Sequence, residues 1–315
     1  MSDKKIATRE AYGNALAEFG ADENILVLDA DLSKSTKTDT FKKKYPERFI
    51  NMGIAEANMV SVAAGLATCG KTVFASSFAM FAAGRAFEQV RNSVCYPKLN
   101  VKIGATHAGI SVGEDGATHQ CLEDIGIMRT LPNMIIINPA DAVEARAAVK
   151  AAIEHNGPVY LRFGRLPVPV LFDENSYNFE IGKGVVLKDG TDVTIVATGL
   201  LVGDALEAYE ILKNQNINAR IINIHTIKPI DAELITKAAD ETGAIVTCEE
   251  HNIIGGLGSA VAEVLAENMP VPMERIGTRD VFGASGKPAD LLKAYKLTAD
   301  DIVDAVKKVI ARKTK

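Results

Sequence analysis

The densest run of chemistry-bearing residues is Thr106-His107-Ala108-Gly109-Ile110-Ser111-Val112-Gly113-Glu114-Asp115-Gly116-Ala117-Thr118-His119. Its glycines permit positive φ and let the backbone approach a ligand closely. Imidazole and carboxylate groups can hydrogen-bond hydroxyls and exchange protons with them near neutral pH. A metal site would use the same residue types, but the spacing of His107, Glu114, Asp115 and His119 matches no standard metal motif. A structural loop with satisfied histidines is the third use. The pattern suits best a polar, hydroxylated or phosphorylated small molecule.

Glu56 is the second candidate. It follows Phe49-Ile50-Asn51-Met52-Gly53-Ile54-Ala55, so it stands in the first turn of a helix just beyond a strand and its Gly53 turn. A carboxylate among Ile, Ala, Met and Val is costly to bury unless something binds it. The competing use is electrostatic, since an acid at a helix start is favoured by the macrodipole. Local sequence leaves the two balanced.

Phe74, Phe78, Phe81 and Phe87 follow one another closely, and Phe78 and Phe81 are expected to share a helix face. They form either core packing or an aromatic shelf for a flat heterocycle. Arg162 and Arg165 follow a strand and offer guanidinium groups for phosphate or carboxylate, or else for surface salt bridges. Glu249-Glu250-His251-Asn252 precedes Gly255-Gly256-Leu257-Gly258, which lacks GxGxxG spacing and reads as a packing turn.

Apolar runs at 25–28, 72–76, 101–105, 134–138 and 159–163 read as strands, separated by helical patterns at 54–68, 83–93, 121–130 and 142–155. A further helix is expected over 6–19. Alternation of this kind predicts a mostly parallel sheet flanked by helices, with ligands beyond the carboxyl ends of its strands. Residues 166–184 contain Pro167, Pro169 and a polar tract and read as a linker. The pattern restarts beyond it, with strands at 192–198, 219–224 and 244–248 and helices at 203–215, 232–242, 255–268 and 299–312. The expectation is α/β with two domains, 1–165 and 185–315, each a mostly parallel sheet flanked by helices.

The 315 residues are 47% apolar, which suffices for two cores. The net charge of −5 and dispersed Lys and Arg exclude a nucleic-acid surface; Lys42-Lys43-Lys44 reads as a solvated helix face. Four cysteines without CxxC or metal spacing favour a reducing compartment. No apolar signal core and no run long enough to span a membrane occur, so the expectation is a cytoplasmic protein.

Ala7-Thr8-Arg9, Asp29–Ser35, Gly53-Ile54-Ala55-Glu56, Ser77-Phe78-Ala79-Met80-Phe81, Thr106-His107, Gly113–His119 and Arg162–Arg165 occur in the order found in transketolases. The chain resembles the second half of that family: its pyrimidine-binding and C-terminal domains. The family's Gly-Asp-Gly motif, which holds metal and diphosphate, does not occur here. The resemblance is therefore to the C-terminal subunit of a split, two-chain transketolase.

That resemblance implies thiamine diphosphate as cofactor, with Mg2+ or another divalent cation held by an N-terminal subunit in an α2β2 assembly. It implies that Glu56 hydrogen-bonds N1′ of the aminopyrimidine, that Phe78 and Phe81 stack on it, that Ile54 wedges the cofactor and that Asp31 lies near the thiazolium. It implies sugar-phosphate contacts from Arg9, Ser35, His107, Asp115, His119 and Arg165, with Glu56, His107 and Asp115 catalytic and no metal ligand in this chain. A Tyr common in the family falls at Gly84 here. The implied reaction moves a two-carbon ketol unit from a ketose phosphate to an aldose. Two other readings are a 2-oxoacid dehydrogenase beta subunit, which has a similar length and domain pair, and a non-catalytic scaffold subunit. Thr106-His107 with Gly113–His119 favours transketolase over the first. Joint retention of Glu56, Phe78, Phe81, His107 and Asp115 speaks against the second.

Overall fold

The computed structural model describes residues 4–313. Strand Ile25–Asp29 carries Ile-Leu-Val-Leu, and strands Thr72–Phe78 and Val101–Thr106 are buried throughout. Burial on both faces is what the centre of a parallel sheet demands. The larger sheet has seven strands in the spatial order Thr226–Lys228, Ile135–Ile137, Val159–Arg162, Val101–Thr106, Thr72–Phe78, Ile25–Asp29, Phe49–Asn51. All its pairings are parallel except that of Thr226–Lys228. From Ile25–Asp29 the chain steps outward to Phe49–Asn51, then crosses back to Thr72–Phe78 on the other side. That reversal opens a crevice beyond the carboxyl ends of Ile25–Asp29 and Thr72–Phe78.

The smaller sheet orders Met273–Thr278, Ile245–Asn252, Val193–Ala197, Ala219–Asn223 and Val185–Lys188, with only the last antiparallel. Both sheets are flanked by helices, as expected. Thr226–Lys228 was not foreseen: a three-residue segment of the second half completes the edge of the first sheet. It is too short to show a period of its own.

Several boundaries differ from the sequence expectation. The first helix is Thr8–Phe19, because Lys5–Ala7 pairs as a strand with Pro167–Pro169 inside the supposed linker. Prolines are tolerated there because each strand has one free edge. The linker is also held down by its amides: Asp141 Oδ2 accepts from Leu171 N at 2.6 Å and Phe172 N at 3.0 Å. The helix expected over 83–93 is two π-helical turns, Phe81–Arg85 and Val90–Cys95, around Phe87–Gln89. At Gly84 a Cβ would lie 2.7 Å from Met80 Cε, the end of a flexible side chain that can turn aside. Such bulges recur at functional sites. Lys42–Lys44 is exposed on helix Asp39–Lys44. Cys69, Cys95, Cys121 and Cys248 are free thiols. Among the described residues no helix is long and apolar enough to cross a membrane.

Candidate active site

Three segments meet at the crevice. Asp29, fully buried, accepts hydrogen bonds from Leu32 N at 2.6 Å, Thr36 Oγ1 at 2.7 Å and Thr38 Oγ1 at 2.9 Å. Burial still raises its pKa against those bonds. They fold the following segment back and present Asp31 and Ser35. Asp31 is exposed at φ 66°, and its Oδ1 accepts from Asn51 Nδ2 at 2.8 Å. Asn51 Oδ1 in turn accepts from Gly53 N at 3.1 Å, so one amide braces this loop and the turn before Glu56.

Glu56 is the first residue of helix Glu56–Thr68 and is 3% exposed. That helix buries Met59, Val60, Ala63, Ala64 and Ala67 and leaves Asn58, Ser61, Gly65 and Thr68 exposed, so it packs on one face. The carboxylate accepts from Ser77 Oγ at 3.3 Å and from Arg85 Nη1 at 3.3 Å to each oxygen. Glu56 thus sits at the positive end of a helix and has a specific cationic partner within the chain. Ile54, two residues earlier, is 75% exposed.

Phe78 ends its strand and Phe81 begins the π-helical turn, so they do not share a regular helix face. Their rings are nonetheless stacked, 5.9 Å apart at 17°. Phe74, four residues earlier in the same strand, belongs instead to a core with Tyr12 and Phe163. The other face of Phe78 lies 3.8 Å from the His107 ring, and His119 stands edge-on to Phe81 at 5.3 Å.

His107 has φ 56° and is buried; Thr106 Oγ1 is 2.9 Å from Nδ1 and Arg9 Nη1 is 3.3 Å from Nε2. Burial first, then the charges of Arg9 and Arg165, pushes its pKa down to about 3. The ring is therefore neutral. Arg9 can only donate, so Nε2 accepts and Nδ1 carries the proton toward Thr106. Arg9 Nη1 also donates to the Ser35 carbonyl at 2.7 Å, while its buried Nε has no partner. Ser35, Arg9, His107, Phe78, Phe81, Arg85 and Glu56 thus form an unbroken series of contacts. Arg165 joins it electrostatically but donates to the Val112 carbonyl and, at 3.1 Å, to Glu114. Asp115 is exposed.

The second domain moors the glycine-rich loop. Glu250 accepts from Ser111 N at 2.5 Å, and Gln120 Nε2 donates to Ile110 O at 3.1 Å, Gly113 O at 3.1 Å and Ala284 O at 2.9 Å. Arg162 is no ligand-facing group: it is buried, donating to Asp124 Oδ2 at 2.8 Å and to Glu250 O at 2.9 Å. Glu249 accepts from Leu257 N and Gly258 N, each at 2.7 Å, so it occupies the helix start that an anion would need. Sequence reasoning missed Arg85 and the mooring roles of Gln120 and Glu250. The i, i+4 spacing of Phe81 and Arg85 was the one available signal.

Glu56 and Phe81 present a carboxylate acceptor and an aromatic face, the two features that hold a planar ring with an N–H donor; here the Arg85 guanidinium engages both. Among the described residues no group of three or more His, Cys, Asp or Glu side chains is placed to hold a metal.

The sequence profile of the transketolase pyrimidine-binding domain matches residues 4–169, and that of the transketolase C-terminal domain matches residues 182–302. This chain belongs to the transketolase family. It is 55% identical over 301 residues to a putative transketolase C-terminal section of Methanocaldococcus jannaschii, covering 95% of this chain and 94% of that protein. It is 45% identical to a 6-deoxy-6-sulfo-D-fructose transketolase subunit of a Clostridium species, covering 97% and 95%. Against rat transketolase it is 41% identical over 98% of its own length but spans only 50% of the rat protein. A solved structure described as a split gene transketolase, inactive beta4 tetramer, superimposes with a TM-score of 0.92 at 58% identity, covering 98% of this chain and 100% of that one. The transketolase relatives thus include separate C-terminal sections as well as chains twice as long.

Proposed function

We propose that this chain is the C-terminal subunit of a thiamine diphosphate-dependent transketolase, active only with a partner carrying the diphosphate-binding domain. The observation that carries the reading is the corner formed by Glu56, Phe78 and Phe81 at the sheet's topological switch point, continuous through His107 and Arg9 with a polar rim. When bound, the cofactor serves as electron sink for a two-carbon unit. Glu56 would accept the hydrogen bond from N1′ of its aminopyrimidine, Phe78 and Phe81 would form its aromatic stack, Ile54 would wedge it and Asp31 would stand near its thiazolium. His107, held neutral, offers a hydrogen bond to a substrate hydroxyl or carbonyl oxygen without adding charge. Arg9, Ser35, Asp115, His119 and Arg165 form the sugar-phosphate side. Mg2+ or another divalent cation is held by the partner chain, in an α2β2 assembly.

The donor sugar is a ketose phosphate in this proposal, with the pentose phosphates as the default. A sulfo-sugar relative and an apulose-4-phosphate transketolase subunit of Phocaeicola vulgatus, 40% identical over 96% of this chain, support testing other anionic ketoses alongside them. The beta4 neighbour, a tetramer described as inactive, supports partner dependence. The test is reconstitution. The chain alone with thiamine diphosphate and Mg2+ should show no ketol transfer, and adding the N-terminal partner should produce it. Transfer by the pure single chain would sink the split-enzyme reading.

A further inference from the structure

Arg85 does to the cofactor corner what a cofactor ring would do. Its guanidinium is planar and cationic, lies 4.1 Å from the centroid of the Phe81 ring, and donates to both oxygens of Glu56 at 3.3 Å. The aromatic face and the buried carboxylate are the two features the proposed function assigns to the aminopyrimidine. The same side chain is 51% exposed, whereas the carboxylate it contacts is 2% exposed, so the arginine can leave and the glutamate cannot. A second place exists for it. A cleft of about 620 Å³ adjoins Phe81 and Arg85, and its walls carry Glu123 and Asp280. Both acids are exposed.

We propose that Arg85 is a further residue of the cofactor site, an internal stand-in that covers Glu56 and Phe81 until the aminopyrimidine displaces it into the cleft beside Glu123 and Asp280. The inference rests on the functional reading above. Without Arg85 or a ring donor, the buried Glu56 carboxylate would keep, among the described residues, the Ser77 hydroxyl and its place at the helix start but no cation, which is unfavourable. The stand-in keeps that carboxylate paired and aimed while the site is empty, and it lowers the affinity for the incoming ring by the fraction of molecules it occludes.

The test uses the chain reconstituted with its N-terminal partner, titrated calorimetrically with thiamine diphosphate in Mg2+. If the occluded form dominates about ten to one, Arg85→Gln lowers the cofactor Kd roughly tenfold. It also makes the cofactor-free complex melt earlier while the added cofactor raises its Tm by more than in the wild type. Arg85→Lys, which keeps charge but cannot stack as a plane, falls between. In a Glu56→Gln background, Arg85→Gln brings no such gain, because the contact being relieved is already lost. An unchanged or higher Kd for Arg85→Gln overturns the stand-in. If that variant fails to assemble, Arg85→Lys decides, and an unchanged or weaker affinity in it overturns the proposal equally. A wild-type complex that binds no thiamine diphosphate would instead overturn the functional reading itself, so the two failures are distinguishable.

Discussion

Glu56 and His107 are two buried polar groups that each lie against an arginine. Glu56 accepts from the Arg85 guanidinium at the start of its helix; burial first, and then Arg9 and Arg165, oppose protonation of His107. In the reconstituted enzyme, Glu56→Gln keeps the shape of the side chain but removes its proton affinity. It should cost on the order of 10²- to 10⁴-fold in kcat, with assembly by analytical ultracentrifugation unchanged. Near-normal turnover would remove Glu56 from the proton relay. For His107, the unfolded imidazole takes a proton near 6.5 and the folded one only near 3. Below about pH 6.5 the unfolded state therefore binds more protons at this position, and acid erodes its contribution to stability through that window. Nitrogen-15 NMR of histidine-labelled chain should show this ring neutral with Nδ1 protonated down to about pH 4; a midpoint near 6.5 would contradict it. Glu56 and His107 were legible in the sequence because their types are unusual in apolar or glycine-rich surroundings. Arg85 was not, because an arginine near a helix gives no sign of which carboxylate lies across the fold.

At the scale of elements, the site depends on close approaches that only small residues allow. Gly13 lies in helix Thr8–Phe19, and a Cβ there would sit 2.3 Å from the Lys37 carbonyl oxygen and 2.8 Å from its carbonyl carbon. Backbone atoms cannot turn aside as a flexible side chain would. Gly13→Ala must therefore push away the segment that carries Ser35, whose carbonyl orients Arg9. Overpacking of this kind costs about 1–3 kcal/mol, and urea unfolding should register it. In the reconstituted enzyme the same variant should raise the substrate KM; a normal Cm would show that the helix shifts freely. The parallel strands were legible because they are continuous apolar runs bounded by turns. The edge strands Lys5–Ala7, Pro167–Pro169 and Thr226–Lys228 were not, because three residues carry no period and their pairing partners lie far off in sequence. The π-helical turns escaped for a related reason: their hydrophobic spacing is close to that of an α-helix.

At the scale of the whole molecule, the two domains are joined through buried polar groups, and the joint reaches the site. Glu144 accepts from Ala140 N at 2.6 Å, from Asn223 Nδ2 of the second domain at 2.7 Å and from Tyr177 of the linker, while burial pushes its pKa up to about 7. Arg162 makes the second joint. Burial would raise the pKa of Asp124, but Arg162 and His251 outweigh it and hold the carboxyl low. Arg162 also donates to the backbone of Glu250, whose side chain holds the amide of Ser111 in the glycine-rich loop. Arg162→Ala leaves Asp124 buried with the Tyr160 hydroxyl at 2.8 Å but without its guanidinium partner, at a cost of about 3–5 kcal/mol. Calorimetry should show a clear drop in Tm. Replacing both members, Arg162→Met with Asp124→Leu, removes the stranded charge and should restore most of that loss. It does not restore the donor to Glu250, so the Ser111 amide should remain less protected from hydrogen exchange than in the wild type. The two readouts separate because charge burial sets the stability, whereas the bond to Glu250 sets the loop. A double variant as unstable as Arg162→Ala would show that the pair is not the source of the penalty. One with a fully protected Ser111 would show that Glu250 holds the loop without Arg162.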